Sequence, residues 1–196
     1  MPTAYIGMGS NLASLAGPPD VTLAAAAARL EALGRVTRRS SLYSTEPVGF
    51  ADQPRFINAV TSLETELSPQ ALLEALLTTE QEFGRDRAAS FANGPRTLDL
   101  DILLYGNLSV HEPSLEIPHP RLTERAFVLI PLNEIAPDIP CAESGATVSQ
   151  LLHNLHQSDK RISDEVVPIH SDAWRAGAGG GVLPPGAAPR PGPNNL

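Results

Sequence analysis

Residues 98–105 (LDLDILLY) constrain the fold of this chain more than any other segment. Side chains alternate between the two faces of an extended strand. Leu98, Leu100 and Ile102 therefore point one way, while Asp99 and Asp101 point together the other way. Such a strand must bury its leucine face against another layer and keep its aspartate face where charge is tolerated. Two neighbouring carboxylates repel each other, and a divalent cation offsets that cost. Hard oxygen donors of this kind suit Mg2+. Taken alone, an Asp-x-Asp is more often a strand with a solvated polar face, so the choice rests on what surrounds it.

Arg85, Arg87 and Arg96 flank the pair within a short span. A guanidinium makes planar, two-pronged contacts to phosphate oxygens, and carboxylates for metal with arginines for phosphate are the parts that phosphoryl transfer needs. The alternative for these arginines is a set of surface ion pairs with Glu82 and Asp86. That fits Arg96 less well, because it follows the stiff Gly94-Pro95 turn directly before the aspartate strand. Residues 44–58 (STEPVGFADQPRFIN) carry the ingredients of a pocket for a flat ring. Phe56 offers a stacking face and Asn58, on the same strand face, a donor and an acceptor. Backbone groups at Thr45 and Val48 can add contacts. A core phenylalanine beside a capping asparagine explains the same residues equally well. Residues 117–132 (IPHPRLTERAFVLIPL) hold His119, Arg121 and Arg125 beside two stiffening prolines, where the histidine can donate to a phosphate. Gly7-x-Gly9-Ser10-Asn11 lacks the Gly-Lys-Ser/Thr ending of a P-loop and the third glycine of a dinucleotide fingerprint; it reads as a tight turn. His153 and His156 read as surface residues.

The elements around these stretches form one domain of 196 residues. Strands are expected at 4–8, 36–43, 56–64 and 98–105. An alanine-rich helix is expected over 20–33, closed by Gly34, and a second from the Ser68-Pro69 start to about residue 83. The order strand, helix, strand, strand, helix, strand predicts an α+β, ferredoxin-like βαββαβ sandwich. Its helices lie on one face of an antiparallel sheet, and additional C-terminal helices are expected at 124–134 and 147–156. Residues 177–193 are dominated by glycine and proline and cannot offset their chain entropy by burial. The expected division is a domain over 1–167 and a disordered tail over 168–196.

Hydrophobic residues make up 42% of the chain, enough for a core. No apolar run approaches the roughly 18–20 residues of a membrane span. No secretory signal opens the chain, and its one cysteine, Cys141, makes no intrachain disulfide, so a cytoplasmic protein is expected. The net charge of −8 and the 5% aromatic content argue against a general nucleic-acid binder.

Together, YIGMGSNL at 5–12, the 43–58 segment, FGRDR at 83–87, GPRTLDLDILLYG at 94–106 and IPHPRLTERAFVLIPLNEIAP at 117–137 resemble the hydroxymethyldihydropterin pyrophosphokinase family of folate synthesis. The pieces occur in the family's order and cover most of residues 4–160. The resemblance implies a ferredoxin-like core, ATP as co-substrate and two Mg2+ ions. It implies transfer of the β,γ-diphosphate of ATP to the hydroxymethyl group of 6-hydroxymethyl-7,8-dihydropterin, releasing AMP. Carried over by motif, Asp99 and Asp101 correspond to metal ligands, and Arg85 and Arg96 to the arginines acting on the phosphates. Glu80, Arg87, Leu98, Ile102, His119, Arg121 and Arg125 correspond to the ATP site, and Thr45, Val48, Phe56, Asn58 and Phe127 to the pterin pocket. A monomer using small molecules alone is expected, without a nucleic-acid or membrane partner. One departure stands out: the family often has Arg-Trp before Gly-Pro-Arg, whereas Ala92-Asn93 precede Gly94 here, which leaves Phe91 as the candidate lid aromatic. Two other readings remain at this point. One is a different metal-dependent phosphoryl or nucleotidyl transferase. The other is a ferredoxin-like RNA-binding module, which would need exposed aromatics and a basic sheet face.

Overall fold

The computed structural model describes residues 1–87, 91, 93–141, 144–158 and 166–176. Strand β1 (Thr3–Ser10) is an interior strand and pairs antiparallel with β4 (Phe56–Glu64) on one side and β5 (Asp99–Tyr105) on the other. Strands β2 (Arg35–Arg39) and β3 (Leu42–Thr45) both pair with β4, β2 along its C-terminal half and β3 along its N-terminal half. The order β5-β1-β4-β3, with β2 beside β4, is the ferredoxin-like sheet expected from the βαββαβ pattern.

The strand expected over 36–43 is thus two strands. Its break has a cause at Ser40-Ser41. Ser40 binds β4 through its backbone N–H, 2.9 Å from the Val60 carbonyl, and accepts the Val60 N–H on its hydroxyl at 2.9 Å. Its carbonyl turns to accept the Trp174 indole N–H at 2.8 Å, and the next N–H, Ser41, donates to Glu134 at 2.8 Å.

Helices α1 (Pro19–Leu30) and α2 (Pro69–Glu82) cover one face of the sheet. Ser68 caps α2 by accepting the Ala71 N–H at 3.2 Å, with Pro69 at the first helical position. α1 ends at Leu30 rather than 33. Gly34 follows where a Cβ would lie 2.2 Å from the Glu64 carbonyl oxygen, so only glycine lets the chain pass so close to β4. Ala4, Ile6, Met8, Leu23, Leu30, Leu63, Leu72, Leu76, Leu98 and Leu100 form the core on this side. Helices α3 (Ala126–Ile135) and α4 (Val148–Ser158) cover part of the opposite face, burying Tyr5, Val60, Leu103, Leu129, Leu132 and Leu151. A one-residue register shift in β5, between the Tyr5–Leu104 and Ile6–Ile102 pairs, turns Leu103 and Leu104 both toward this second core. A short 3-10 turn at Leu122–Glu124 leads into α3, and β6 (Val110–Glu112) and β7 (Leu115–Ile117) form a hairpin.

The expected domain boundary at 167 needs correction. Strand β8 (Val166–Ile169) pairs antiparallel with β3, and α5 (Asp172–Ala176) follows it. Trp174 is 6% exposed and packs with the α1-side core. The Arg39 guanidinium lies 4.7 Å from its ring centroid, and the Ser171 hydroxyl donates to Asp20 at 2.7 Å. One large aromatic and one strand pairing are enough to anchor this segment, so the folded body extends at least to residue 176. The disordered tail expected over 177–193 lies outside the described residues.

Candidate active site

The aspartate face of β5 is the face that carries α3 and α4, at the end these helices leave open. Asp99 and Asp101 stand beside Gly7 and Gly9 of β1 in the sheet register. Gly9 matters here: a Cβ would lie 3.0 Å from Asn58 Oδ1, so its absence makes room for the asparagine side chain arriving from β4. Arg96 enters from the turn before β5, and Arg125 and Phe127 from the start of α3. A cavity of about 40 Å3 is lined by Gly9, Asn58, Arg96, Asp99, Asp101 and Arg125. A second of about 40 Å3 is lined by Thr45, Val48, Phe56, Asn58, Arg96 and Phe127. The carboxylate site and all five residues expected of the ring pocket are therefore neighbours that share Asn58 and Arg96. A third cavity, about 210 Å3, lies among Arg85, Arg87, Phe91 and Arg96. A larger cavity of about 510 Å3 lies at the far edge of the sheet, between α1, β3 and α5, away from both aspartates.

Arg85 is the hinge of the charged cluster. Its guanidinium donates to Glu80 at 2.9 Å, to the Leu98 carbonyl at 3.1 Å and to Asp99. Glu80 is 1% exposed, and its carboxylate is fully engaged. It accepts the Leu100 N–H at 2.8 Å as well as Arg85, and its other oxygen accepts two donors of Arg87 at 2.9 and 2.7 Å. Burial pushes the Glu80 carboxyl up from its usual range, and the Leu100 N–H and Arg85 oppose the rise. Arg96 Nε lies 2.9 Å from Asp99 without hydrogen-bond alignment, and its guanidinium sits 4.7 Å over the Phe56 ring. Burial would raise Asp99, but Arg96 and Arg85 outweigh it and hold the carboxyl below its ordinary value. Asp101 is pushed up to about 6 by burial and by the Asp99 charge. One aspartate thus has two arginines, while its neighbour carries more negative charge than its surroundings balance.

His119 is held by its backbone, whose N–H donates to Leu103 at 2.9 Å. Its Nδ1 accepts the Arg121 N–H at 3.1 Å, which leaves the proton on Nε2 as a donor in the neutral ring. Burial, then Arg125, lower its pKa and favour that neutral form. Arg125 lies 5.5 Å from the Phe127 ring, and Arg121 is a half-exposed rim residue 3.5 Å from Glu124.

Two expected nucleotide residues sit differently from the rest. Leu98 and Ile102 are 0% and 4% exposed in the apolar core behind β5, so their side chains are turned away from the carboxylates. Any nucleotide contact there falls to their backbone, at the edge of the sheet. Glu80 likewise lies beneath Arg85 and Arg87 rather than on the cavity surface. Phe91 is exposed and meets Phe50 edge-on, ring centroids 5.3 Å apart. Asn11 and Asn93 carry only a turn-forming residue type as signal in the sequence and Gln53 carries none, yet they join the loops around the site. Asn93 has a positive φ of 59°, which asparagine tolerates better than most residues.

Comparison with known proteins follows the same lines. The family model for 7,8-dihydro-6-hydroxymethylpterin-pyrophosphokinase (HPPK) matches residues 5–137. A 2-amino-4-hydroxy-6-hydroxymethyldihydropteridine pyrophosphokinase of Pseudomonas aeruginosa is 47% identical over 137 residues, 69% of this chain and 81% of that protein. The protein of the same description from Methylorubrum extorquens is 42% identical over 160 residues, 81% of this chain and 96% of that one. Among solved structures, wild-type Plasmodium falciparum HPPK-DHPS with pterin and p-hydroxybenzoate matches with a TM-score of 0.70 at 16% identity. That match covers 87% of this chain and 47% of the other, so this chain spans about half of the solved one, and the likeness concerns the fold.

Proposed function

The chain belongs to the 7,8-dihydro-6-hydroxymethylpterin-pyrophosphokinase family, and from that premise we propose that its two adjoining cavities hold the two substrates of one diphosphate transfer. The enzyme transfers diphosphate from ATP to hydroxymethyldihydropterin in folate synthesis. The observation that carries the site assignment is the single patch where Asp99, Asp101, Arg85 and Arg96 meet the pocket of Phe56, Asn58 and Phe127.

In this reading the pterin ring lies against Phe56 with its polar edge toward Asn58, whose Nδ2 is oriented by donating to Thr45 at 2.7 Å. Arg96 leaves the Phe56 face to let the ring in, and turns to the phosphates. Arg85, Arg87, His119, Arg121 and Arg125 face the phosphate chain and base from the other side. The hydroxymethyl oxygen attacks the β-phosphorus. The bond from that phosphorus to the α-phosphate oxygen breaks, AMP leaves, and the hydroxyl proton passes to solvent. Arg85 and Arg96 stabilise charge on the bridging and leaving oxygens. Phe91, exposed beside Phe50, covers the substrates and keeps water from the reactive phosphorus.

Asp99 and Asp101 suit Mg2+. They are hard donors on one strand face, and burial together with the Asp99 charge raises Asp101, a cost that a cation beside both carboxylates relieves. Two carboxylates leave most of the octahedral positions of Mg2+ open to water and substrate phosphates. Two Mg2+ ions bound there would neutralise the phosphate chain and align it for in-line attack. The same reading takes the enzyme as a cytoplasmic monomer; among the described residues no helix is long and apolar enough to cross a membrane.

The test is product analysis after mixing protein, ATP, Mg2+ and the dihydropterin alcohol. Equal yields of AMP and pterin diphosphate are expected. ADP with a pterin monophosphate would sink the assignment, as would full turnover in excess chelator for the metal part.

A further inference from the structure

The turn after β1 has no substrate-facing part in the reading above, yet it is tied tightly to Arg96. Asn11 is 3% exposed. Its Oδ1 accepts the Arg96 N–H at 2.8 Å, and its own N–H and that of Leu12 donate to the Arg96 carbonyl at 3.1 and 3.2 Å. Both backbone polar groups of Arg96 are thus held by one short segment. Asn11 Nδ2 donates onward to Gln53 Oε1 and to the Pro54 carbonyl, each at 3.0 Å. The Gln53 amide in turn donates to the Phe50 carbonyl at 2.6 Å and the Asn93 carbonyl at 2.8 Å.

We propose that Asn11 and Gln53 are positioning residues that set the backbone of Arg96 and join it to the loop bearing the ring pocket. This rests on Arg96 acting on the phosphates. The connection spans three segments: the turn after β1, residues 50–54 and residues 93–96. Each side-chain amide serves as acceptor and donor at once, which neither a carboxylate nor an aliphatic side chain can do. Without the clip, Arg96 keeps its charge and its place in the chain but loses a fixed Cα position. A guanidinium that works in a transition state is sensitive to that: a displacement of about 1 Å costs on the order of 10²-fold.

A double-mutant cycle on the full chain separates this role from a merely structural one. The readout is the single-turnover rate with saturating ATP, Mg2+ and dihydropterin alcohol, beside equilibrium ATP binding and melting temperature. Asn11→Ala is expected to slow the rate by about 10- to 100-fold, with ATP affinity changed less than about threefold. In an Arg96→Ala background the same substitution is expected to change the rate less than about twofold, because the group it positions is gone. Equal slowing in both backgrounds, or no slowing in either, overturns the proposal. Failure of the underlying reading shows separately, as full activity in Arg96→Ala alone. Should Asn11→Ala not fold, Gln53→Ala takes its place in the same cycle with the same background dependence expected at about tenfold.

Discussion

The two faces of the sheet use the same strands for opposite purposes. On the α1/α2 face, Leu98, Leu100, Leu72 and Leu76 are all at most 1% exposed, and the packing is mainly apolar, with Glu80 and Thr61 among its few buried polar side chains. On the other face the apolar cover of α3 and α4 ends near Val60 and Leu103. Beyond it stand Asp99, Asp101, Arg96 and Arg125, with small residues of β1 beneath them. Strand β5 contributes to both. Its leucine face supplies burial, at about 25 cal/mol per Å2 of apolar surface. Its aspartate face holds one carboxylate that two arginines stabilise and one that burial and like charge disfavour. One face therefore accumulates stability and the other gives some of it up, which is what a site built to receive cations and phosphates requires.

Substitutions on either side of β5 should separate these roles. Asp99→Ala or Asp101→Ala is expected to lower turnover by more than about 10³-fold with a cooperative thermal transition retained. Activity within a few-fold of wild type in either would remove the site from this face. On the leucine face, Leu76→Ala should cost about 2–5 kcal/mol of stability in chemical denaturation, while kcat measured well below the midpoint stays near wild type. A large kcat loss there would show that the two faces are not independent. Arg96→Ala should lower kcat by about 10²-fold, the size of one strong electrostatic stabiliser. Arg96→Lys should recover only part of that, since lysine keeps the charge and loses the planar fork.

A smaller effect has the opposite sign. Asp101 has its folded pKa raised from 3.8 to about 6, so its ionisation opposes folding above that range, and the penalty fades as pH falls toward 4. Asp101→Asn should therefore stabilise the ligand-free protein at pH 7–8, by about 2–4 °C for on the order of 1 kcal/mol, while abolishing turnover. The gain should shrink in melts at pH 4–5, and a lower melting temperature at pH 8 would contradict the account. The least change is expected on deleting residues 177–196, with melting temperature and kcat both unmoved. Truncation after residue 167 should instead lower the melting temperature by several degrees, because it removes Trp174 and part of β8.

Much of the site was legible because its residues announce themselves within short windows. Asp99 and Asp101 share a face by the strand period, Phe56 and Asn58 by the same rule, and Arg96 stands beside a rigid turn. The wider correspondence came from the spacing of motifs along residues 5–137. Positions that depend on side-chain direction were less legible. Leu98 and Ile102 are not among these: the strand period alone turns their side chains into the core, away from the aspartates. Glu80 corresponds to the nucleotide site by motif, and only packing shows it buried under two arginines. The 36–43 segment reads as one strand, because nothing local in Ser40-Ser41 says that Trp174 and Glu134 wait on either side.

By itself the sequence determined the order of elements, the carboxylate face of β5 and the family to which its motifs point, since strand alternation, helix caps and motif spacing are local properties of the chain. The tertiary structure alone decided that Asn11 holds Arg96 across 85 positions. It decided that Gln53 reaches Asn93, and that residues 166–176 close the edge of the sheet. These are hydrogen bonds and burial between segments distant in sequence, and their partners are chosen by where the sheet brings the loops together.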